Sequence, residues 1–246
     1  MYPVIAEFGP VTIYSYGMMI AIAFLLGIFV ARIEARRKKI KPDLIYDLGL
    51  YIVIGSIIGA RLYYLAFSSP EIFIKTPLSI FKVWQGGLAI HGGIIGGIVT
   101  GIVFSKRHKV SFWVLADLIA PSILLGQAIG RIGCFLNGCC YGVPTESIFG
   151  VKFPEIGVTV HPTQLYELIF NLIGFFVLWN LRKKIKFQGG LFLAYLMIYN
   201  SIRVFISSLR WDSLYIWGTG LKIAQVLSGV IFIIALILFV KREKNA

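Results

Sequence analysis

Residues 112–142 read FWVLADLIAPSILLGQAIGRIGCFLNGCCYG, an apolar run that closes on an arginine, an amide and three cysteines set among glycines. About 20 apolar residues suffice for a helix to cross the hydrocarbon of a bilayer. Glycine-rich polar backbone is tolerated near that depth only where protein or a water-filled cavity covers it, because lipid offers no hydrogen-bond partners. Arg131 is costly there, and a costly intramembrane charge points to use. The stretch reads as a membrane helix with chemistry at one end.

The surrounding chain extends this reading. Of its 246 residues 58% are hydrophobic and 14% charged, against about 25% charged in soluble domains, and the mean hydropathy is +0.83. Apolar runs long enough to span lie at about 14–33, 46–67, 87–104, 112–132, 164–181, 189–206 and 221–240. Period-2 alternation of the barrel kind is absent, so the expected fold is an all-α integral membrane protein, a bundle of seven transmembrane helices.

Basic residues set the expected orientation. Arg32, Arg36, Arg37, Lys38, Lys39 and Lys41 follow the first span, and Lys106, Arg107 and Lys109 the third. Arg182, Lys183, Lys184 and Lys186 follow the fifth, and Lys241, Arg242 and Lys244 the seventh. These alternate connections hold 16 of the 24 basic residues, and the positive-inside rule places them in the cytoplasm. The N-terminus is therefore expected outside and the C-terminus cytoplasmic.

Nothing basic precedes Arg32 and Glu7 is the only earlier charge, so the first span is expected to stay rather than be cleaved as a signal peptide. The net charge of +13 sits beside span ends without interleaved base-stacking aromatics. Anionic lipid headgroups explain it and nucleic acid does not. One polytopic domain over residues 1–246 is expected, with outer-face loops at about 68–86 and 133–163.

Polar residues near the expected outer ends of the spans share one side of the membrane: Tyr16, Arg61, His91, Gln127, Arg131, Asn137, His161, Gln164, Tyr166, Glu167, Tyr199, Arg203, Arg210 and Asp212. His91 lies in WQGGLAIHGGIIGG, residues 84–97, whose glycines permit close approach of helices or of a headgroup. An imidazole suits proton transfer near neutral pH. Arg131 and Arg203 need anionic partners, either a phosphate, which a guanidinium fork fits, or Glu167 and Asp212 within the protein. Arg61 divides evenly between such roles, and Arg210 with Asp212 in SLRWD reads as a loop ion pair.

Cys134, Cys139 and Cys140 follow a C-x4-C-C spacing that matches neither paired CxxC zinc knuckles nor a CxxC redox motif. No metal and no cofactor are expected. Tight packing of small residues and a reactive thiol or disulfide both fit, the latter making a membrane thiol oxidoreductase. An anionic-solute transporter would also use outward arginines, although no internal repeat is visible. HPTQLYE at 161–167 opens the fifth span, with Pro162 in its first turn, Gln164 able to bond free backbone groups, and Glu167 one turn in.

Together YG at 16–17, GARLYY at 59–64, WQGGLAIHGG at 84–93, GRIGCFLNGCCYG at 130–142, HPTQLYE at 161–167 and YNSIRVF to SLRWDS at 199–213 resemble the prolipoprotein diacylglyceryl transferase family from first span to last. The resemblance implies a bacterial cell-membrane transferase with its active site toward the outer leaflet. Its partners would be the bilayer, phosphatidylglycerol and a prolipoprotein signal peptide with a lipobox cysteine. The diacylglyceryl group would pass to that cysteine thiol as a thioether, releasing glycerol 1-phosphate.

On this view His91, Arg131 and Arg203 are catalytic, the arginines stabilising phosphate charge and His91 taking the thiol proton. Tyr16, Asn137, Gly142, Tyr199 and Arg61, with Arg131, would bind phosphatidylglycerol, and Glu167, Arg210, Cys134 and Cys139 would support them. The chain also departs from the family pattern, which places Asn at Cys134, Glu at Cys139 and often Glu at Ser207. Cysteine is a weak hydrogen-bonding substitute for an amide and lacks the carboxylate's fixed charge. A diverged paralogue with another lipid or acceptor is the remaining alternative.

Overall fold

The computed structural model describes residues 2–9, 11–71, 77–83, 86–154, 156–216 and 219–245. Seven α-helices form among them: α1 Ser15–Arg37, α2 Asp43–Phe67, α3 Ile90–Arg107, α4 Phe112–Leu136, α5 Thr163–Leu181, α6 Gly190–Leu209 and α7 Ile223–Lys244. Each overlaps one of the apolar runs expected to span. Six are long and apolar enough to cross a membrane, as expected of a helical membrane protein. The exception is α3, whose 18 residues include His91, Lys106 and Arg107 beside five glycines.

One boundary differs from expectation in a way that matters. The apolar run was expected to yield to loop at 133, but α4 continues to Leu136, because Ile132, Phe135 and Leu136 extend its apolar sequence. Arg131 and Cys134 therefore ride on the helix. Gly138 ends the helix at φ 73°, with its N–H bonded to the Phe135 carbonyl and the Cys139 N–H returning 3.1 Å to the Cys134 carbonyl. That return bond is the usual way a left-handed residue satisfies the last carbonyls of a helix.

The chain divides into two compact units, residues 1–31 with 116–246, and residues 32–115. In the first, Ala120 and Leu124 of α4 pack with Leu178 of α5 and with Leu191, Ala194 and Tyr195 of α6. Asp117, buried on α4, accepts the N–H groups of Gly189 and Phe192 at 2.9 Å each. It thereby caps the N-terminus of α6, where free N–H groups favour a carboxylate.

Short antiparallel pairs that no period-2 pattern announced complete this unit, β1 Val4–Phe8 with β2 Val11–Tyr14 and β3 Val151–Lys152 with β4 Thr159–Val160. They are too short for a pattern to show, and they satisfy backbone groups of the connecting segments.

The second unit is built on glycine. A β-carbon on Gly59 would lie 2.9 Å from the Gly96 Cα, and one on Gly96 would lie 3.1 Å from the Gly59 Cα. Only small residues let two backbones approach this closely. Arg61, buried on α2, donates to the carbonyls of Gly86 (2.7 Å) and Gly87 (3.2 Å), and Ala89 N–H bonds Ala60 O at 3.1 Å. Gly87 has φ 71°, and a side chain there would strike Tyr64 and Arg61. The loop before α3 is thus tied to α2. Trp84 and Gln85, in the motif at 84–93, lie outside the described residues, as do 72–76 of the expected loop at 68–86 and 155 of that at 133–163.

Candidate active site

Three helices of the first unit place charge at one level. Glu167 lies one turn into α5, Arg131 about a turn before the end of α4 and Arg203 about two turns before the end of α6. The Glu167 side chain is 3% exposed and pairs with Arg131, with Arg203 at 2.8 Å and with Arg210 at 3.8 Å. Arg210, just beyond α6, also grips Asp212 through two bonds of 2.8 and 2.6 Å. Burial alone disfavours the Arg210 cation, but the Asp212 carboxylate outweighs it and holds the guanidinium protonated. Three guanidinium groups against two carboxylates leave a surplus of one positive charge.

Four residues further into each helix lies a second polar layer, Gln127 on α4, Asn171 on α5 and Tyr199 on α6, because side chains four apart share a helix face. Gln127 donates to the Tyr195 hydroxyl at 3.0 Å, and the Tyr195 and Tyr199 rings stack at 6.0 Å. Asn171 is fully buried, and neither end of its amide has a partner among the described residues.

The cysteine loop is clamped to the head of α5. Thr163 Oγ1 donates to the Cys140 carbonyl at 2.7 Å and Gln164 Nε2 to the Cys139 carbonyl at 2.6 Å. Both donors are 1% exposed. The amide of Gln164 thus serves the neighbouring loop rather than its own helix, whose N-cap is Pro162 and whose start has no side-chain cap among the described residues. Gly142 runs between Leu209, His161 and Thr163, whose atoms would lie within 2.8 Å of any β-carbon there. Its N–H meets the His161 carbonyl at 2.8 Å, and Val143 N–H meets Leu209 O at 2.8 Å.

The three thiols gather beside the arginines, their sulfurs all within 4.8 Å of one another. Arg131 Nη1 lies 3.9 Å from Cys134 Sγ. Cys140 Sγ donates to Cys139 Sγ at 3.4 Å. The contacts of Cys140 with Cys134 and Cys139, aided by the charges of Arg210 and Arg131, push its thiol down against the opposing effect of burial. Cys139 is pushed up, chiefly by its hydrogen bond with Cys140 and by burial, against the opposing bond from Cys134.

The structure therefore brings Arg131, Glu167, Arg203, Arg210, Cys134, Cys139 and Gly142 together. Tyr199 and Tyr16 lie in electrostatic range of Arg131, and Tyr16 packs on Gly133. Asn137 is exposed at the end of α4. Ser207, where the family pattern often has Glu, is buried on α6. The internal pairing considered for Arg131 and Arg203 forms with Glu167, and the loop pair Arg210–Asp212 forms as expected. Arg61 and His91 belong to the second unit, where Arg61 holds loop carbonyls and the His91 ring lies 6.1 Å from that of Tyr63.

Sequence reading passed over Lys222. It is buried, and its ammonium donates to the carbonyls of Ser207 (2.8 Å), Ser208 (3.1 Å) and Arg210 (3.0 Å). A cation there satisfies the free carbonyls at the C-terminus of α6 and fixes the bend that turns Arg210 toward Glu167. The available signal was a lone lysine at the entrance of the last span, on the side the charge rule leaves poor in cations.

The fold and this cluster define a multi-pass helical membrane protein with an arginine-rich charged site. Residues 3–241 match the family described as prolipoprotein diacylglyceryl transferase, and the chain belongs to that family. Proteins named phosphatidylglycerol–prolipoprotein diacylglyceryl transferase are similar along nearly their whole length. That of Oceanobacillus iheyensis is 41% identical over 97% of this chain and 87% of its own. That of Bacillus cereus strain G9842 is 43% identical over 98% and 92%, and that of Trichormus variabilis 42% over 92% and 84%. Membership in this family disfavours the thiol-oxidoreductase and transporter readings.

Proposed function

We propose that this chain transfers the diacylglyceryl group of phosphatidylglycerol to the lipobox cysteine of a prolipoprotein. The observation that carries the reading is the surplus positive charge of Arg131, Arg203 and Arg210 over Glu167 and Asp212, in a member of a family whose relatives are named for this reaction. A phosphodiester brings the single negative charge that this surplus lacks.

In the reaction the substrate thiolate attacks the glycerol carbon that carries the phosphate, forming a C–S bond as the C–O bond breaks. The electron pair leaves on the phosphate oxygen, and glycerol 1-phosphate departs. Arg131 and Arg203 stabilise that developing charge, the kind of preorganised contribution that dominates many active sites. Glu167 holds their guanidinium groups in place before the lipid arrives, with Arg210 as a third contact.

His91 takes the thiol proton, an assignment supported by the chemistry of imidazole. Tyr16, Asn137, Tyr199 and Arg61 orient the headgroup, while Gly142 admits close passage of the loop. Cys134 and Cys139 support Arg131. The chain acts as one membrane domain of seven spans in the bacterial cytoplasmic membrane, N-terminus outside, with the site open to the outer leaflet. The alternate loops rich in Lys and Arg support that orientation.

Incubating the purified protein with phosphatidylglycerol and a lipobox peptide tests the proposal. A mass increment of one diacylglyceryl group on the peptide cysteine is expected. Competent lipid and peptide that yield no increment would refute it.

A further inference from the structure

We propose that Cys134, Cys139 and Cys140 form a binding site for a soft metal ion of the Zn2+ class, and that an ion there weakens the hold of the arginine cluster on a lipid phosphate. The linear spacing C-x4-C-C argued against a metal, since no paired CxxC is present. The fold supplies what spacing does not. The turn at Gly138 and the left-handed Cys140, at φ 67°, bring sulfurs from α4 and its loop within 4.8 Å of one another, with Cys139 and Cys140 3.4 Å apart.

Zinc–thiolate bonds of about 2.3 Å in tetrahedral geometry place neighbouring sulfurs about 3.8 Å apart. The cluster therefore needs only small adjustments to close on an ion. Its backbone is already held, by Thr163 on the Cys140 carbonyl and Gln164 on the Cys139 carbonyl, so little ordering remains for binding to impose. Thiolate is the donor that soft cations select over oxygen-binding Mg2+ or Ca2+.

Three protein ligands leave a fourth position for water or an external ligand. Binding displaces the protons that the thiols still hold, and the tris-thiolate zinc unit then carries one negative charge. That charge equals the surplus positive charge of the arginine cluster, which Arg131 brings to 3.9 Å from Cys134 Sγ. An occupied site neutralises the attraction that a phosphate meets. By linkage, lipid and metal each weaken the other's binding.

This coupling rests on the transfer reaction proposed above, whereas the metal site itself does not. The test uses the full-length protein in detergent, reduced, freed of metal with a chelator and titrated with Co2+ or Cd2+. A thiolate-to-metal charge-transfer band saturating at one equivalent is expected. C139S and C140S should each weaken binding by more than the roughly 10- to 100-fold that loss of an outer-shell partner costs, while circular dichroism and monodispersity confirm that they fold. One equivalent of Zn2+ should raise KM for phosphatidylglycerol.

Absence of the band, or a band of full intensity in the C139S/C140S double variant, would overturn the site. So would recovery of one reactive thiol rather than three from protein purified without reductant, which would put a disulfide there. A bound ion that leaves KM unchanged would overturn the coupling. Metal-free protein that transfers nothing to the peptide would count against the transfer reading, and the metal titration would still be decisive on its own terms.

Discussion

The charged cluster of the first unit and the glycine seam of the second solve opposite problems. Around Glu167, side chains that water would solvate are gathered in a protein-lined place and satisfy one another through ion pairs. Between α2 and α3, Gly55, Gly59, Gly92 and Gly96 carry no side chain and let backbone meet backbone. The first is stabilised by directional contacts that fail when one partner is lost. The second is stabilised by many weak contacts that fail when an atom is added. Polarity marks the proposed site, and smallness marks the place of packing.

The largest effect should come from removing a guanidinium. Arg131→Ala or Arg203→Ala should lower turnover by about 10²- to 10³-fold or more, the cost of losing one preorganised stabilising group. Lys should restore little at either site, because it lacks the planar fork. Initial rates of peptide diacylglyceryl transfer measure this. A near-normal rate in Arg131→Ala would place the phosphate contact elsewhere.

The glycine seam should break under addition. Gly92→Val forces a side chain onto the Gly59 backbone and Tyr63, and overpacking of this kind costs about 1–3 kcal/mol or more. Thermal unfolding in detergent should show the loss. Gly93→Ala, whose β-carbon would meet only ordinary contacts at 3.6 Å and beyond, should show little, and equal losses in both variants would remove the seam as the explanation.

Lys222→Met tests how the cluster is held rather than what it does. Losing a buried cation that serves three carbonyls should destabilise by about 1.5–3 kcal/mol. Because Arg210 is the residue whose approach to Glu167 that bend fixes, kcat should fall more than the KM for lipid rises. A loss of stability with unchanged kinetics would reduce Lys222 to a helix cap.

The smallest change is expected at Asn171, whose buried amide has no partner among the described residues. Replacing such a group by an apolar one of similar size is close to neutral or stabilising. Asn171→Leu should therefore leave the unfolding midpoint unchanged or raise it. A clear drop would reveal a partner, such as an ordered water, in the polar layer beneath the arginines.

Much of this was legible in the residues. Apolar runs announced each of the seven helices, because helix formation in hydrocarbon is a local matter of satisfying backbone groups within one segment. The residues worth watching were legible for the same reason: Arg131, Glu167 and Arg203 are expensive where they stand. Lys222 and Asp117 escaped notice because their roles depend on carbonyls and N–H groups at helix ends 12 or more residues away in sequence, and spacing along the chain says nothing of such partners. The extension of α4 to Leu136 is not legible in the sequence, because a glycine-rich stretch reads as loop until its left-handed stop at Gly138 is seen.

Composition, hydrophobic runs and the motifs from Tyr16 to Ser213 by themselves determined a helical membrane protein, its kinship and its expensive charges, since each depends on short segments and on the cost of moving residues out of water. Only tertiary structure decided that one carboxylate serves three arginines, that a lysine holds the bend beneath Arg210, and that three thiols of unpromising spacing converge. Each of these is a distance between separate segments or around a turn, and distance, rather than residue type, sets what charges and sulfurs can do together.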